Sequence, residues 1–308
     1  MTSFISKFNA QNVLMRVVLA ILAATFLFYL LPDCASRVAF AKNAIQEDSD
    51  DDKDAEPRDD ENWFNSESVS GATDVEFRVD NTVRFIRNER ESKYSSSTVF
   101  HGDLAFDFVG DNGEIVVYSF RAQKFVLIDP IRRMRSVIDE SELDRFTDRI
   151  REILREKEKK DGFTTFMTNP SFTISRKDDE FFFQSRWIDY RAKTIPLDNE
   201  QIADAYFRFV EAMGKLNVYM NPGSLTPLAR IEANRKFMEE SRFPEKITTE
   251  IYPKGKTIFT KTYQIENEST LARRLSERDH SRVARAVQFF EQFQYVSFKT
   301  YFEKTSSR

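Results

Sequence analysis

The chain has 308 residues, 41% hydrophobic and 31% charged, which allows one large domain or two small ones and excludes a wholly disordered or fibrous protein. Its net charge of −4 is unevenly placed: ten acids and two bases lie between Glu47 and Glu61, which leaves residues 62–308 close to neutral. Nothing in that balance points to nucleic acid, which asks for a basic patch or stripe, and a single cysteine, Cys34, excludes an intrachain disulfide.

Lys7 and Arg16 lead into an uncharged run of 15 residues, Val17 to Leu31. As a helix it spans about 22 Å, short of the ~30 Å hydrocarbon core. A basic start, a short apolar run and the A-x-A sequence Ala39-Phe40-Ala41 describe a signal peptide. Extended back to Val13, with Arg16 at the interface, the same segment serves as an uncleaved membrane anchor. Residues 1–41 are therefore expected to be a signal peptide or an anchor. Either one puts the remainder outside the cytoplasm, periplasmic or tethered to the membrane. Leu31-Pro32-Asp33-Cys34 lacks the small residues that lipidation of Cys34 would need. Gln46 to Asn62 is acidic and almost free of apolar side chains, so residues 42–64 read as a disordered spacer.

Strands are expected next. Val75, Phe77, Val79, Val83 and Phe85 alternate, and Val99 to Val109 reads as one alternating strand. Gly110-Asp111-Asn112-Gly113 marks a hairpin, followed by Ile115–Phe120, Phe125–Ile128 and Met134–Ile138. A helix begins at Ser141, with Leu143, Phe146, Ile150, Ile153 and Leu154 on one stripe, and Gly162 stops it. Phe172–Ser175 and Glu180–Tyr190 are strands, the latter covered on both faces because Phe181, Phe182 and Phe183 are consecutive.

The second helix starts at Asp198 and buries Ile202, Tyr206, Phe209, Val210 and Met213. The third has Thr226 as N-cap and turns Leu228, Ile231 and Met238 inward. Ile247–Tyr252 and Thr257–Ile265 are strands around Pro253-Lys254-Gly255. The fourth helix runs from Thr270 to Gln292 with Leu271, Leu275, Val283, Val287 and Phe290 inward, and Tyr295–Phe302 alternates as a last strand. Strands and helices in blocks specify an α+β fold: a curved, mostly antiparallel sheet with about four helices, in one domain over 65–304 with a tail at 305–308.

No nucleophile elbow, phosphate loop, dinucleotide fingerprint or zinc-protease motif occurs, so no enzyme and no cofactor are expected. His101 and His280 are the two histidines, far apart in sequence and without cysteine, so no metal site is expected. Arg273, Arg274, Arg278, Arg282 and Arg285 form either an anion or headgroup site or a solvated helix face. The outlier is phenylalanine, at 30 residues. Phe77, Phe85, Phe106, Phe108, Phe120, Phe125, Phe172 and Phe183 form either a packed core or the lining of an apolar pocket.

The stretch Ile115–Phe120, Lys124-Phe125-Val126-Leu127-Ile128-Asp129-Pro130, Met134–Ile138 and a helix resembles the periplasmic lipoprotein carrier and lipoprotein-sorting family. Phe243-Pro244-Glu245-Lys246-Ile247 with Lys256–Gln264 is similar to that family's late strand pair. The resemblance covers about a third of the chain. It implies a half-open barrel closed by helices, and binding of a lipid, lipoprotein or acyl chain without catalysis. The alternative is a membrane-tethered envelope interaction module with no small-molecule ligand.

Overall fold

The computed structural model describes residue 64 and residues 75–87, 90–110, 113–157, 162–221, 224–252, 255–257 and 263–306. The export segment, Cys34, nearly all of the acidic stretch and the tips of the turns expected near 111 and 253 lie outside the described residues. Among the described residues no helix is long and apolar enough to cross a membrane.

The elements in chain order are β1 Glu76–Arg87, β2 Arg90–His101, β3 Leu104–Val109, β4 Glu114–Ser119, β5 Lys124–Asp129, β6 Met134–Asp139, α1 Glu140–Lys157 and α2 Gly162–Thr168. They continue with β7 Thr173–Lys177, β8 Glu180–Gln184, β9 Ile188–Pro196, α3 Glu200–Met220, α4 Leu228–Glu239, β10 Arg242–Ile251, β11 Tyr263–Ala272, α5 Glu277–Gln292, β12 Gln294–Tyr295 and α6 Phe298–Ser306. All strands join one sheet in the order β12-β6-β5-β4-β3-β2-β1-β11-β10-β9-β8-β7. Pairing is antiparallel throughout except between β12 and β6. The sheet is not closed, because β7 and β12 stand at opposite ends of the order.

The meander β1–β6 forms because its turns carry residues in the left-handed region: Gly102 and Gly110 at φ 60 and 50, Gln123 and Arg133 at φ 53. A second meander, β7–β11, joins the first where β11 pairs with β1. The connection between the neighbouring strands β9 and β10 carries α3 and α4, so both helices lie over the same sheet face. That helical face, with α1, α2, α3, α4 and α6, holds one continuous core. On the reverse face of β2–β6, helix α5 packs Val283, Ala286, Val287 and Phe290, with Phe64, against Val99, Leu104, Phe106, Ile115, Val117, Val126 and Ile128. Strand β4 is buried at every position because helices cover both of its sides. Each aromatic taken from water here contributes roughly 1.5–3 kcal/mol.

Helix α3 is the centre of the helical face. Its N-terminus is capped by Asn199, whose Oδ1 accepts from the Ile202 amide at 3.0 Å, one residue beyond the Asp198 that the sequence suggests. Lys215 ties it to α1 through Asp144 at 2.8 Å and Glu140 at 3.3 Å.

Several sequence expectations are corrected. Six helices, rather than about four, stand among the described residues, because the short α2 and α6 carry too few apolar turns to announce themselves. Gly162 opens α2 instead of ending α1 in a loop. The strand expected over Val99–Val109 is two strands, broken by the tight turn at Gly102-Asp103. Thr257 precedes β11, which starts at Tyr263 and runs through Thr270 and Leu271; the helix begins only at Glu277, fixed by a capping box between Ser276 and Asp279. Tyr295 closes the two-residue β12, and the segment after it is helix α6. Phe182 faces a sheet surface that no helix covers among the described residues, so β8 is covered there on one side. On α4, Leu228 and Ile231 are half-buried and Met238 is exposed; the buried face is Ala229, Arg230, Ala233, Asn234 and Phe237. Thr226 does not cap this helix, since its hydroxyl donates to the Met167 carbonyl at 2.6 Å.

Candidate functional site

The eight phenylalanines fall into separate groups. Phe77, Phe125 and Phe183 are fully buried on the helical face, with Phe85, Phe120 and Phe172 half-buried against the same core. Phe106 is buried on the reverse face, and Phe108 lies beside it under the Arg282 guanidinium, 3.9 Å from the ring centre. Phe120 and Phe125 lie 5.1 and 4.6 Å from the ring of Tyr118, whose hydroxyl donates to Glu140. Phe172 and Phe183 lie 5.6 and 6.3 Å from the ring of Tyr190, whose hydroxyl has no partner among the described residues.

Tyr190 is on β9, where it pairs with Thr249 of β10 and Phe183 of β8. Helix α4 lies over these strands, its Phe237 ring edge-on to Phe181 and Phe183 at 5.5 and 5.4 Å. Residues 229, 230, 233, 234 and 237 form one helical face by the 3.6-residue period, and two of them are polar. Arg230 is 7% exposed and Asn234 5%. Tyr206 of α3 approaches the same guanidinium and meets the Ser269 hydroxyl of β11.

This cluster is short of partners. Among the described residues, the Arg230 Nε, both polar atoms of the Asn234 amide and the Tyr190 hydroxyl make no hydrogen bond, and no carboxylate pairs with Arg230. Burial holds the Arg230 guanidinium below its ordinary pKa, against the opposing pull of the Tyr206 and Tyr190 phenols. Burial pushes Tyr190 up to about 12, with Arg230 acting against it, and raises Tyr206 as well. An unpaired ion in such a place costs several kcal/mol, and each orphaned polar atom about 1–3 kcal/mol. Native proteins pair such groups, and the exceptions call for a function or a bound group.

Chemically, the site presents a guanidinium fork, a carboxamide and two phenols under a roof of Phe172, Phe183 and Phe237. A guanidinium matches carboxylate and phosphate oxygens two at a time. Sequence reasoning missed Arg230 and Asn234 because it placed the large residues of α4 inward. The available signal was the spacing of Ala229, Ala233 and Phe237, which puts Arg230 and Asn234 on the buried side.

A concavity lies on the reverse face of β8–β11, a groove of about 670 Å³ lined by Phe182, Arg191, Lys246, Glu250 and Glu266 among others. Its charges are paired across strands, Lys246 with Glu266 and Glu268 at 3.3 and 3.1 Å and Arg191 with Glu180 at 2.8 Å. Exposed pairs of this kind contribute little individually.

No known family profile matches the chain, and no curated protein matches it in sequence. Among solved structures, a structure of PNGF-II is similar at a TM-score of 0.27 and 6% identity, over 75% of this chain and 32% of that one; the chain spans about a third of that protein's length. A LolA superfamily protein from Nitrosomonas europaea is similar at a TM-score of 0.24 and 8% identity, over 66% of this chain and 88% of that one. Neither overlap transfers a residue's role.

Proposed function

We propose that this chain is an extracytoplasmic, non-enzymatic binding protein for an anionic amphiphile. The acyl part of the ligand lies against Phe172, Phe183 and Phe237, and its carboxylate or phosphate meets Arg230, Asn234 and Tyr190. The reading takes the twelve-stranded sheet as a concave, half-open wall around α3 and α4. It takes the N-terminal segment as the export signal or anchor that its sequence suggests. The supporting observation is Arg230, a buried guanidinium near the Tyr190 and Tyr206 phenols without a carboxylate partner among the described residues. A ligand that supplies the counter-charge and covers the aromatics would offset that cost.

The test is native mass spectrometry with lipid extraction on the full-length chain from its producing cells' envelope, with titration of a fluorescent anionic acyl-chain probe. The expected result is one acyl-chain adduct per chain, and probe affinity at least tenfold weaker in Arg230→Met. A clean mass together with no probe binding would overturn the reading. The charged groove on the reverse face of β8–β11 favours the second reading, a tethered envelope interaction module, and that outcome would make it the working one.

A further inference from the structure

The two histidines are 179 positions apart in sequence, on β2 and α5, and the fold brings their rings to 5.5 Å in an edge-on arrangement. Glu76, the first residue of β1, pairs directly with His101, the last residue of β2. Its Oε1 lies 3.5 Å from His101 Nε2. His280 reaches over from the first turns of α5, held by its amide bond to the Ser276 carbonyl at 3.1 Å. One ligand atom from each of the three residues lies within 4.8 Å of the other two. His101 is half-buried, and its Nδ1 is buried with no hydrogen-bond partner. Glu76 and His280 are exposed, so both can adjust their rotamers.

We infer that Glu76, His101 and His280 form a binding site for a divalent transition-metal ion of the zinc, cobalt, nickel or copper type. Two imidazoles and one carboxylate are the donor set of three-ligand zinc sites, which leave one position to solvent or a further ligand. Bonds of about 2.0–2.2 Å put ligand atoms of a tetrahedral ion roughly 3.3–3.5 Å apart. The Glu76–His101 pair already stands at 3.5 Å, and the exposed His280 needs to close about 1 Å or a little more. An ion turns the contact of the two imidazoles into a bond and pins the N-terminal end of α5 to the strands β1 and β2. It would supplement the Arg78–Asp279 ion pair of 2.7 Å that joins β1 to α5. This site is on the reverse face, apart from Arg230, and stands whether or not a lipid is bound.

The test uses the full-length chain, purified without a histidine tag and titrated with Zn²⁺ and Co²⁺ in excess Mg²⁺. The excess Mg²⁺ fills the oxygen-rich acidic segment, which does not favour softer ions. The expected result is one saturable ion per chain, a Co²⁺ visible spectrum typical of nitrogen ligation, and a zinc-dependent rise in Tm. Affinity should fall at least tenfold in His280→Gln, which alters an exposed residue and leaves the metal-free Tm unchanged. Glu76→Gln should give a smaller loss. No saturable ion under these conditions, or equal affinity in wild type and His280→Gln, would overturn the assignment.

Discussion

Arg230 and Arg242 are buried to the same extent, 7% exposed each, yet Arg242 is fully engaged and Arg230 is not. Arg242 donates through Nε to Thr194 Oγ1 at 3.0 Å and through Nη2 to the Thr194 carbonyl at 3.2 Å and to Asp179. Nothing comparable surrounds Arg230 among the described residues. The two positions therefore answer substitution in opposite directions. Arg230→Met is expected to stabilise the ligand-free protein by about 1–3 kcal/mol, because it removes a buried charge that nothing balances. Arg242→Met is expected to destabilise by about 1–3 kcal/mol through lost charge-assisted hydrogen bonds. Urea denaturation of the delipidated variants measures both. If Arg230→Met loses stability like Arg242→Met, Arg230 is a structural residue.

Asp107 supplies a pH signature. It is fully buried between β2 and β4, with Thr98 Oγ1 donating to one carboxylate oxygen at 2.8 Å and no partner for the other among the described residues. Burial pushes its pKa up to about 6, with Thr98, Ser96 and Arg282 acting against the shift. A carboxyl raised in the folded state binds its proton more tightly there than in the unfolded chain. It therefore contributes stability below its ordinary value of 3.8, and that contribution is lost as pH rises to about 6. The loss is on the order of 2–3 kcal/mol. Denaturation midpoints should fall across that window in the wild type and stay level there for this group in Asp107→Asn. A midpoint that rises across the window would contradict the assignment.

The sidedness of the core can be checked directly. Phe290 of α5 packs its ring 4.5 Å from Phe64, with the Arg135 guanidinium 4.0 Å from its own centre, all on the reverse face. Phe290→Ala is expected to cost about 3 kcal/mol by leaving a cavity. It should leave acyl-probe affinity within about twofold, since the sheet separates it from Arg230. A tenfold loss of probe binding would place the ligand on α5 instead.

The Asn199 cap gives a smaller, local effect. Asn199→Ala is expected to lower stability by about 1 kcal/mol, because the Ile202 amide loses its acceptor. Asp198→Ala, which leaves that bond intact, should change it by less than half as much. Equal losses would mean that Asp198 shares the capping.

What could be read from the sequence follows from where burial is two-sided. Between Leu104 and Asp139 every strand has apolar residues in alternation or in a run, and the first turn carries Gly110 and Gly113, so those strands were legible. The first part of β2, Arg90–Thr98, was not, because serines and charges occupy both faces where the sheet is open or lined with polar groups. The end of β11 and the start of α5 form one apolar stripe in sequence, since Leu271 and Leu275 fit a helical spacing; the capping box at Ser276, not the stripe, sets the boundary. Arg230 was missed for a related reason, although the spacing of Ala229, Ala233 and Phe237 marks its side of the helix. Apolar periodicity assigns the largest apolar residues inward, and on α4 tertiary packing around Phe237 overrides that preference. The meeting of His101 with His280 depends on the register between β2 and the distant α5, which no local pattern records.

The C-terminal segment crosses from one side of the sheet to the other at the β6 edge. Helix α5 lies on the reverse face, β12 pairs with Met134 and Arg135, the Val296 amide bonds to the Arg135 carbonyl at 2.9 Å, and Tyr301 of α6 is buried in the helical face. That strap makes the sheet directional. One end is clasped by the chain's own terminus, and the other ends at β7, whose five residues are all exposed and include Arg176 and Lys177. Charges on a short outer strand discourage pairing with another molecule. A chain cut after Gln292 would bare a second edge at β6, where Met134, Ser136 and Ile138 are buried and the alternate positions are Arg135, Val137 and Asp139. Fibrous self-association should then begin from the β6 side, so the last sixteen residues act as a terminator of strand addition.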